Sequence, residues 1–216
     1  MSFCLTYWND TSLLEKMTGM GQKRKDILTA SVQIFAEKGF HATGIADIAQ
    51  KLGMGHGTFY RYFKNKEDIF DSAVNEILKE IGAIALGERY DAASTLEEYE
   101  TQLNRIGEKL FTLFGDDDSM ARILFFEAQS VNSVQKKISN AMLIFDEYTS
   151  SYLKNGIKKE FLRKDLDIKI TARLVNSIIF EGIKAVSSIE NKSERIVAAK
   201  NWISNMISII LQGIQK

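Results

Sequence analysis

The stretch Thr43-Gly44-Ile45-Ala46-Asp47-Ile48-Ala49-Gln50-Lys51-Leu52-Gly53-Met54-Gly55-His56-Gly57-Thr58-Phe59-Tyr60-Arg61-Tyr62-Phe63 decides the reading of this chain. Ile45, Ile48, Ala49 and Leu52 recur at i, i+3, i+4 and i+7, one face of a short helix. Gly53 stands where a left-handed helix end is needed, and Gly55 and Gly57 stop any long helix from running through. A second short helix then carries His56, Thr58, Tyr60, Arg61 and Tyr62, a set of donors and aromatics. Two short helices around a glycine turn, the second rich in donors, form a helix-turn-helix.

Working outward, Ile27, Ala30, Ser31, Ile34 and Phe35 place an amphipathic helix over Lys23 to Lys38, with Lys38 and Gly39 suited to its C-terminal end. Thr43 is the expected N-cap of the next helix. Asn65 is the expected cap of a long helix from Lys66 to about Leu86, which opens with Glu67 and Asp68. Apolar periodicity predicts further helices over Thr95–Phe114, Ser119–Val131, Ser133–Lys159, Asp167–Ile189 and Ser193–Ile214. Asp116, Asp117 and Asp118 lack the spacing and twelfth-position Glu of a calcium loop and are read as helix-capping acids.

Composition agrees with an all-α fold of about nine helices. The 216-residue chain is 45% hydrophobic, enough for a packed core, and contains no proline, the strongest helix breaker. Runs of strict alternation are missing, so strands are not expected. The single cysteine, Cys4, excludes an intrachain disulfide and a cysteine metal cluster. No signal-peptide pattern and no transmembrane-length run is present, so the expected location is cytoplasmic and no membrane is expected as partner. Met17 and Met20 are alternative starts; equally, Trp8 and Leu13-Leu14 can pack as a small extra helix.

Charge is uneven. The formal net charge is zero, yet Gln22 to Lys66 holds eight Lys/Arg against Asp26, Glu37 and Asp47, leaving an acidic remainder. A basic head on an acidic body suits a nucleic-acid-binding module joined to a domain that does not touch DNA. The expected organisation is an N-terminal extension (1–21), a helix-turn-helix DNA-binding domain (22–66, motif at 44–63) and a helical effector-binding and dimerisation domain (67–216).

The pattern Thr43-x4-Ile48-Ala49-x3-Gly53-x3-Gly57-Thr58-Phe59-Tyr60-x-Tyr62-Phe63-x-Asn65-Lys66-Glu67, preceded by Phe35-Ala36-Glu37-Lys38-Gly39-Phe40, resembles the DNA-binding signature of TetR-family transcriptional regulators. The match covers about Lys23 to Ile69. It departs at Gly55, where members of that family often have a serine that caps the recognition helix and contacts phosphate. The resemblance implies a homodimeric repressor of a palindromic double-stranded DNA operator, released by a small lipophilic effector. Physical chemistry assigns the contacts. Thr43 and Gly44 lie at a helix N-terminus that favours a phosphate. Gly55, His56, Gly57, Thr58, Tyr60 and Arg61 belong to the end of a helix that enters the major groove, with Arg61 the best guanine or phosphate ligand. Tyr62 and Lys66 match family positions that hold the DNA backbone, and Met54, Phe59 and Phe63 are read as core.

In the body, the aromatic and methionine side chains Phe111, Phe114, Met120, Phe125, Phe126, Met142, Phe145, Tyr148 and Tyr152 are the candidate effector lining. The apolar stripes of helices 167–189 and 193–214 are too wide for one buried face, so these helices are expected to form a two-fold four-helix bundle between copies. Glu127-x-x-Ser130, Gly156-Ile157 and Leu166-Asp167 are similar to the acyl-CoA-responsive fatty-acid-metabolism repressors of the family, although Ala128 and Gln129 stand where those members tend to carry an arginine. That resemblance puts acyl-CoA ahead of drugs or steroids as effector. No cofactor and no metal is expected, since His41 and His56 do not converge with Cys4. Enzyme activity is not expected: no strand and no Gly-Lys-Ser/Thr accompany the glycines at 53–57, and no nucleophile–His–acid set is recognisable. The competing reading is a helical lipid- or small-molecule-binding interaction protein without specific DNA binding, which would lack the steep salt dependence that phosphate contacts impose.

Overall fold

The computed structural model describes residues 19–115 and 118–214. Among them are nine α-helices and no β-strand: α1 (Gly19–Lys38), α2 (Ile45–Lys51), α3 (His56–Phe59), α4 (Lys66–Leu86), α5 (Leu96–Gly115), α6 (Ser119–Phe125), α7 (Asn132–Lys158), α8 (Ile168–Ser187) and α9 (Lys192–Ile214). A 3-10 turn, Glu127–Ser130, joins α6 to α7. The alternative starts and the apolar residues before Gly19 lie outside the described residues, as do Asp116 and Asp117.

Local sequence explains most of the boundaries. Gly39 (φ +83°) ends α1 and Gly53 (φ +58°) closes the turn after α2, conformations that cost a glycine little. The Asn65 side chain accepts from the Asp68 amide at 2.8 Å and starts α4, and Asp167 accepts from the Ile170 amide at 3.0 Å and starts α8. Three expectations are corrected. Gly44, not Thr43, is the N-cap of α2, because the Thr43 hydroxyl turns back to the Gly39 carbonyl at 2.8 Å. Asp118 stands at the N-cap of α6 but its side chain makes no cap hydrogen bond, so it acts there by charge alone. The helix expected over Ser119–Val131 breaks at Phe126 (φ −119°), where the chain tightens and the Ser130 hydroxyl donates to the Glu127 carbonyl at 2.7 Å. A run apolar on all sides, such as Ile123-Leu124-Phe125-Phe126, carries no period from which its end can be read.

The first three helices pack on the start of α4. Phe35, Phe40 and Phe70 meet at ring separations of 4.7 to 5.7 Å, with Ile27, Ile48, Phe59, Phe63 and Ile69 filling the space around them. The face expected on α1, Ile27 to Phe35, is buried throughout. α4 continues out of this head into the body, where it packs on α5 and α7, and Lys137 of α7 pairs with its Asp71 at 2.6 Å. α8 packs on α7 and α9 on α5. The apolar surplus of the last two helices divides as the sequence suggested. Ile203, Met206, Ile207 and Leu211 turn inward, while Ile170, Leu174 and Ile178 of α8 and Ile196, Val197 and Ile209 of α9 remain exposed.

α8 approaches α9 closely at Gly182. An added Cβ there would overlap the indole edge of Trp202, whose Nε1 is buried without a hydrogen-bond partner. Gly182→Ala is therefore expected to destabilise the fold by about 1–3 kcal/mol. Urea unfolding checks this, and Trp202→Phe in the same chain should recover part of the loss by removing the crowded nitrogen.

Candidate functional site

The face presented to nucleic acid is built on the glycine turn. Gly53 donates to the Gln50 carbonyl and Met54 to the Ala49 carbonyl, so the chain reverses and α3 starts at Gly55 (φ −73°, ψ 148°). Buried Phe59 and Phe63 anchor α3 and the turn after it. Around these anchors Gly55, His56, Gly57, Tyr60 and Arg61 are exposed, and Thr58 and Tyr62 are half-buried. The Arg61 guanidinium makes no ion pair with the described residues. α3 is short, but the chain coils on past it through Tyr60 and Tyr62, whose amides donate to His56 and Phe59.

The remaining candidates are also engaged in the scaffold of the head. Thr43 is buried and its hydroxyl is spent on Gly39, and the Gly44 amide donates to Asp47 Oδ2 at 2.8 Å. Asp47 is itself held by Lys38 at 2.7 Å; that bond, with the Gly44 amide, keeps its carboxyl below the usual range. In this arrangement the donors of Thr43 and Gly44, expected to face a phosphate, are engaged in an internal cap. Lys66 donates to the carbonyls of Phe40 (2.8 Å) and His41 (3.2 Å) and lies 4.5 Å from the centre of the Phe40 ring, so its charge secures the α1–α2 turn. The same turn is gripped from the body: Glu127 Oε2 accepts from the Phe40 amide at 2.7 Å.

The body holds an apolar cavity of about 120 Å³ enclosed by α4, α5, α7, α8 and α9. Of the candidate lining, Phe145, Tyr148 and Tyr152 face it. Phe111 and Phe114 are buried elsewhere in the core, Phe126 is exposed, and Met120, Phe125 and Met142 pack against the core without reaching the cavity. Ring contacts from Phe114 through Phe125 to Phe180 connect that core to the wall. Sequence reasoning missed Ile81 and Ala85 of α4, Leu103 and Gly107 of α5, Asn176 and Phe180 of α8 and Met206 of α9, all of which line it. Gly107, a small residue in an apolar stripe, was the available signal; its Cα faces Ile203.

Glu88, just beyond α4, joins the cavity wall to the helix end. Its carbonyl accepts from the hydroxyls of Tyr148 (2.8 Å) and Tyr152 (3.0 Å), and its carboxylate pairs with Arg105 and Lys109, both at 3.0 Å. Those two cations hold the carboxyl at about 2, well below the usual 4.5. Burial pushes both tyrosine hydroxyls up, so they stay protonated donors.

The comparisons with known proteins follow this geometry. Residues 27–73 match the family model described as bacterial regulatory proteins, tetR family. The chain is 27% identical over 193 residues to the fatty acid metabolism regulator protein of Bacillus subtilis, covering 88% of this chain and 97% of that protein. It is 24% identical over 178 residues to the transcriptional repressor KstR2 of Rhodococcus jostii, covering 77% and 81%. The matched segment is a DNA-binding domain of the tetR family. Among solved structures, FadR of Bacillus subtilis in complex with stearoyl-CoA has the same fold (TM-score 0.70, 24% identity, 85% of this chain and 97% of that one). KstR2 of Mycobacterium tuberculosis does too (TM-score 0.68, 22% identity, 90% and 95%). The homologues that the chain matches along most of its length are transcriptional regulators rather than enzymes. Among the described residues no helix is long and apolar enough to cross a membrane, and no group of acidic, histidine and cysteine side chains could hold a metal.

The Glu88 cluster has a defined pH signature. A carboxyl depressed in the folded state contributes stability in full above its unfolded value near 4.5 and loses it as pH falls toward 2. Glu88→Gln should lower stability most at pH 7, where the ion pairs are fully formed, and the difference from the wild type should shrink as pH falls through that window. Denaturation midpoints measured from pH 7 down to 2.5 decide it.

Proposed function

We propose that this TetR-family regulator is a homodimeric repressor, with residues 22–66 as its operator-binding head and 67–216 as its effector-binding and dimerisation body. Two heads related by a two-fold axis read a palindromic site, each placing His56, Gly57, Thr58, Tyr60 and Arg61 against base edges while Gly55, Tyr62 and the edge of Lys66 approach the phosphates. Work on an operator puts the protein in the cytoplasm. Dimerisation uses α8 and α9, whose exposed stripe Ile170, Leu174 and Ile178 repeats every four residues and so forms one continuous apolar face.

The effector is a small lipophilic molecule, and an acyl-CoA is the class best supported. The observation that carries the reading is the cavity itself: it is lined almost wholly by carbon and is bounded by α4, the helix that enters the head. A cavity of about 120 Å³ holds only a short segment of a long chain. Entry of a longer ligand must move the wall, including Tyr148 and Tyr152, and so disturb Glu88 at the end of α4. Support comes also from the similar protein solved with stearoyl-CoA.

Fluorescence anisotropy on the DNA upstream of the chain's own coding sequence tests this. Binding should fall steeply with salt, and stearoyl-CoA should weaken it; no binding to any palindromic site, with or without acyl-CoA, sinks the reading. Arg61→Ala should weaken specific binding about tenfold and leave the dimer intact by sedimentation. Leu174→Lys should yield monomers and lose operator affinity together.

A further inference from the structure

Besides its two tyrosines, the cavity wall carries polar side chains where α7 meets α8. Asn176 of α8 is 8% exposed and lines the cavity beside Thr149 of α7. Asp146 fixes the amide: Asn176 Nδ2 donates to Asp146 Oδ1 at 2.8 Å, and the Thr149 hydroxyl donates to Asn176 Oδ1 at 2.9 Å. Because a carboxylate only accepts, the nitrogen of Asn176 has to be the atom toward Asp146, and Thr149 has to donate. Asn176 therefore keeps one N–H uncommitted. The other hydroxyls on the wall, those of Tyr148 and Tyr152, are both spent on the Glu88 carbonyl.

An amide N–H on a wall otherwise almost wholly carbon is costly to leave unmade, and a ligand oxygen that accepts from it recovers that cost. Charge works against an anion at this point. No cation lines the cavity, and the Asp146 carboxylate stands directly behind the amide, its other oxygen 3.8 Å from the Nε of the largely exposed Arg173. We propose that Asn176, set by Asp146 and Thr149, selects effectors with a neutral oxygen acceptor inside their apolar part, such as a ketone, ester or thioester carbonyl, and rejects a buried carboxylate. This rests on the reading that the cavity takes the effector. Asn176 is then the specificity residue, and Thr149 and Asp146 position it.

The cavity is close in size to an engineered cavity of about 150 Å³ that takes benzene, so single-ring probes fit it. Calorimetric titration of the full chain with acetophenone, ethylbenzene and benzoate separates the terms, since the three differ in the oxygen function on one framework. Asn176→Leu should raise the acetophenone Kd about tenfold relative to that of ethylbenzene, and benzoate should not bind the wild type. Thr149→Val, which keeps the amide, should move the same ratio about threefold in the same direction, and it decides the matter if Asn176→Leu does not fold. An unchanged acetophenone-to-ethylbenzene ratio in the variants, or benzoate binding as tightly as acetophenone, overturns the polar position while leaving the cavity reading standing. Failure of ethylbenzene and acetophenone alike to bind the folded wild type overturns the cavity reading, and this inference with it.

Discussion

One helix belongs to two cores. The first turns of α4 bury Ile69 and Phe70 beneath the aromatic cluster of the head, and its later turns carry Ile81 and Ala85 to the cavity of the body. Proline is missing from α4 and its one glycine, Gly82, is buried within the continuous helix, so α4 passes displacement along its length. The head cannot repack without moving Phe70, and the cavity cannot widen on that side without moving Ile81. Nearly everything functional in the molecule is arranged around this shared element.

A second tie runs outside α4. The turn at Phe40 is held on its carbonyl side by Lys66, the first residue of α4, and on its amide side by Glu127, in the 3-10 turn of the body. The two grips come from opposite charges and different domains. A rotation of the body that carries Glu127 away would leave the Phe40 amide unpartnered, a cost of about 1–3 kcal/mol. Gly39 has no Cβ because one would sit 3.3 Å from the Glu127 carboxylate, as well as because its φ is positive. Two independent constraints therefore fall on one glycine.

How far the sequence could be read follows from the range of each interaction. Asn65, Gly53 and the face Ile27–Phe35 act within one or two turns of their own chain, and their roles were legible at once. Thr43 was the expected cap; the third residue of the helix, Asp47, overturned it by claiming the Gly44 amide. The cavity was harder. Phe111 and Phe145 both sit on apolar helix faces, but only helix packing determines which of them meets empty space. α8 and α9 are apolar on two sides, and nothing in their periodicity divides the inward stripe of Met206 and Leu211 from the exposed one of Leu174 and Ile209. Glu88 was invisible for another reason, because the group that matters is its backbone carbonyl, which every residue possesses.

These connections are of the right size for regulation. Coupling between an effector site and a distant binding site typically amounts to about 1–3 kcal/mol. Each hydrogen bond from Tyr148 and Tyr152 to Glu88 is worth about 1 kcal/mol net, and the pair converges on one carbonyl at the end of α4. A ligand that displaced both rings would remove stabilisation of that order at the point where the body meets the helix leading to the head. The carboxylate of the same residue, clamped by Arg105 and Lys109, stays anchored to α5 meanwhile. Glu88 can then act as a pivot: its side chain fixes the position of the α4 end while its backbone registers the state of the cavity wall. A stiffer attachment, through the backbone as well, would insulate the head from the cavity; a looser one would let α4 drift with no ligand bound.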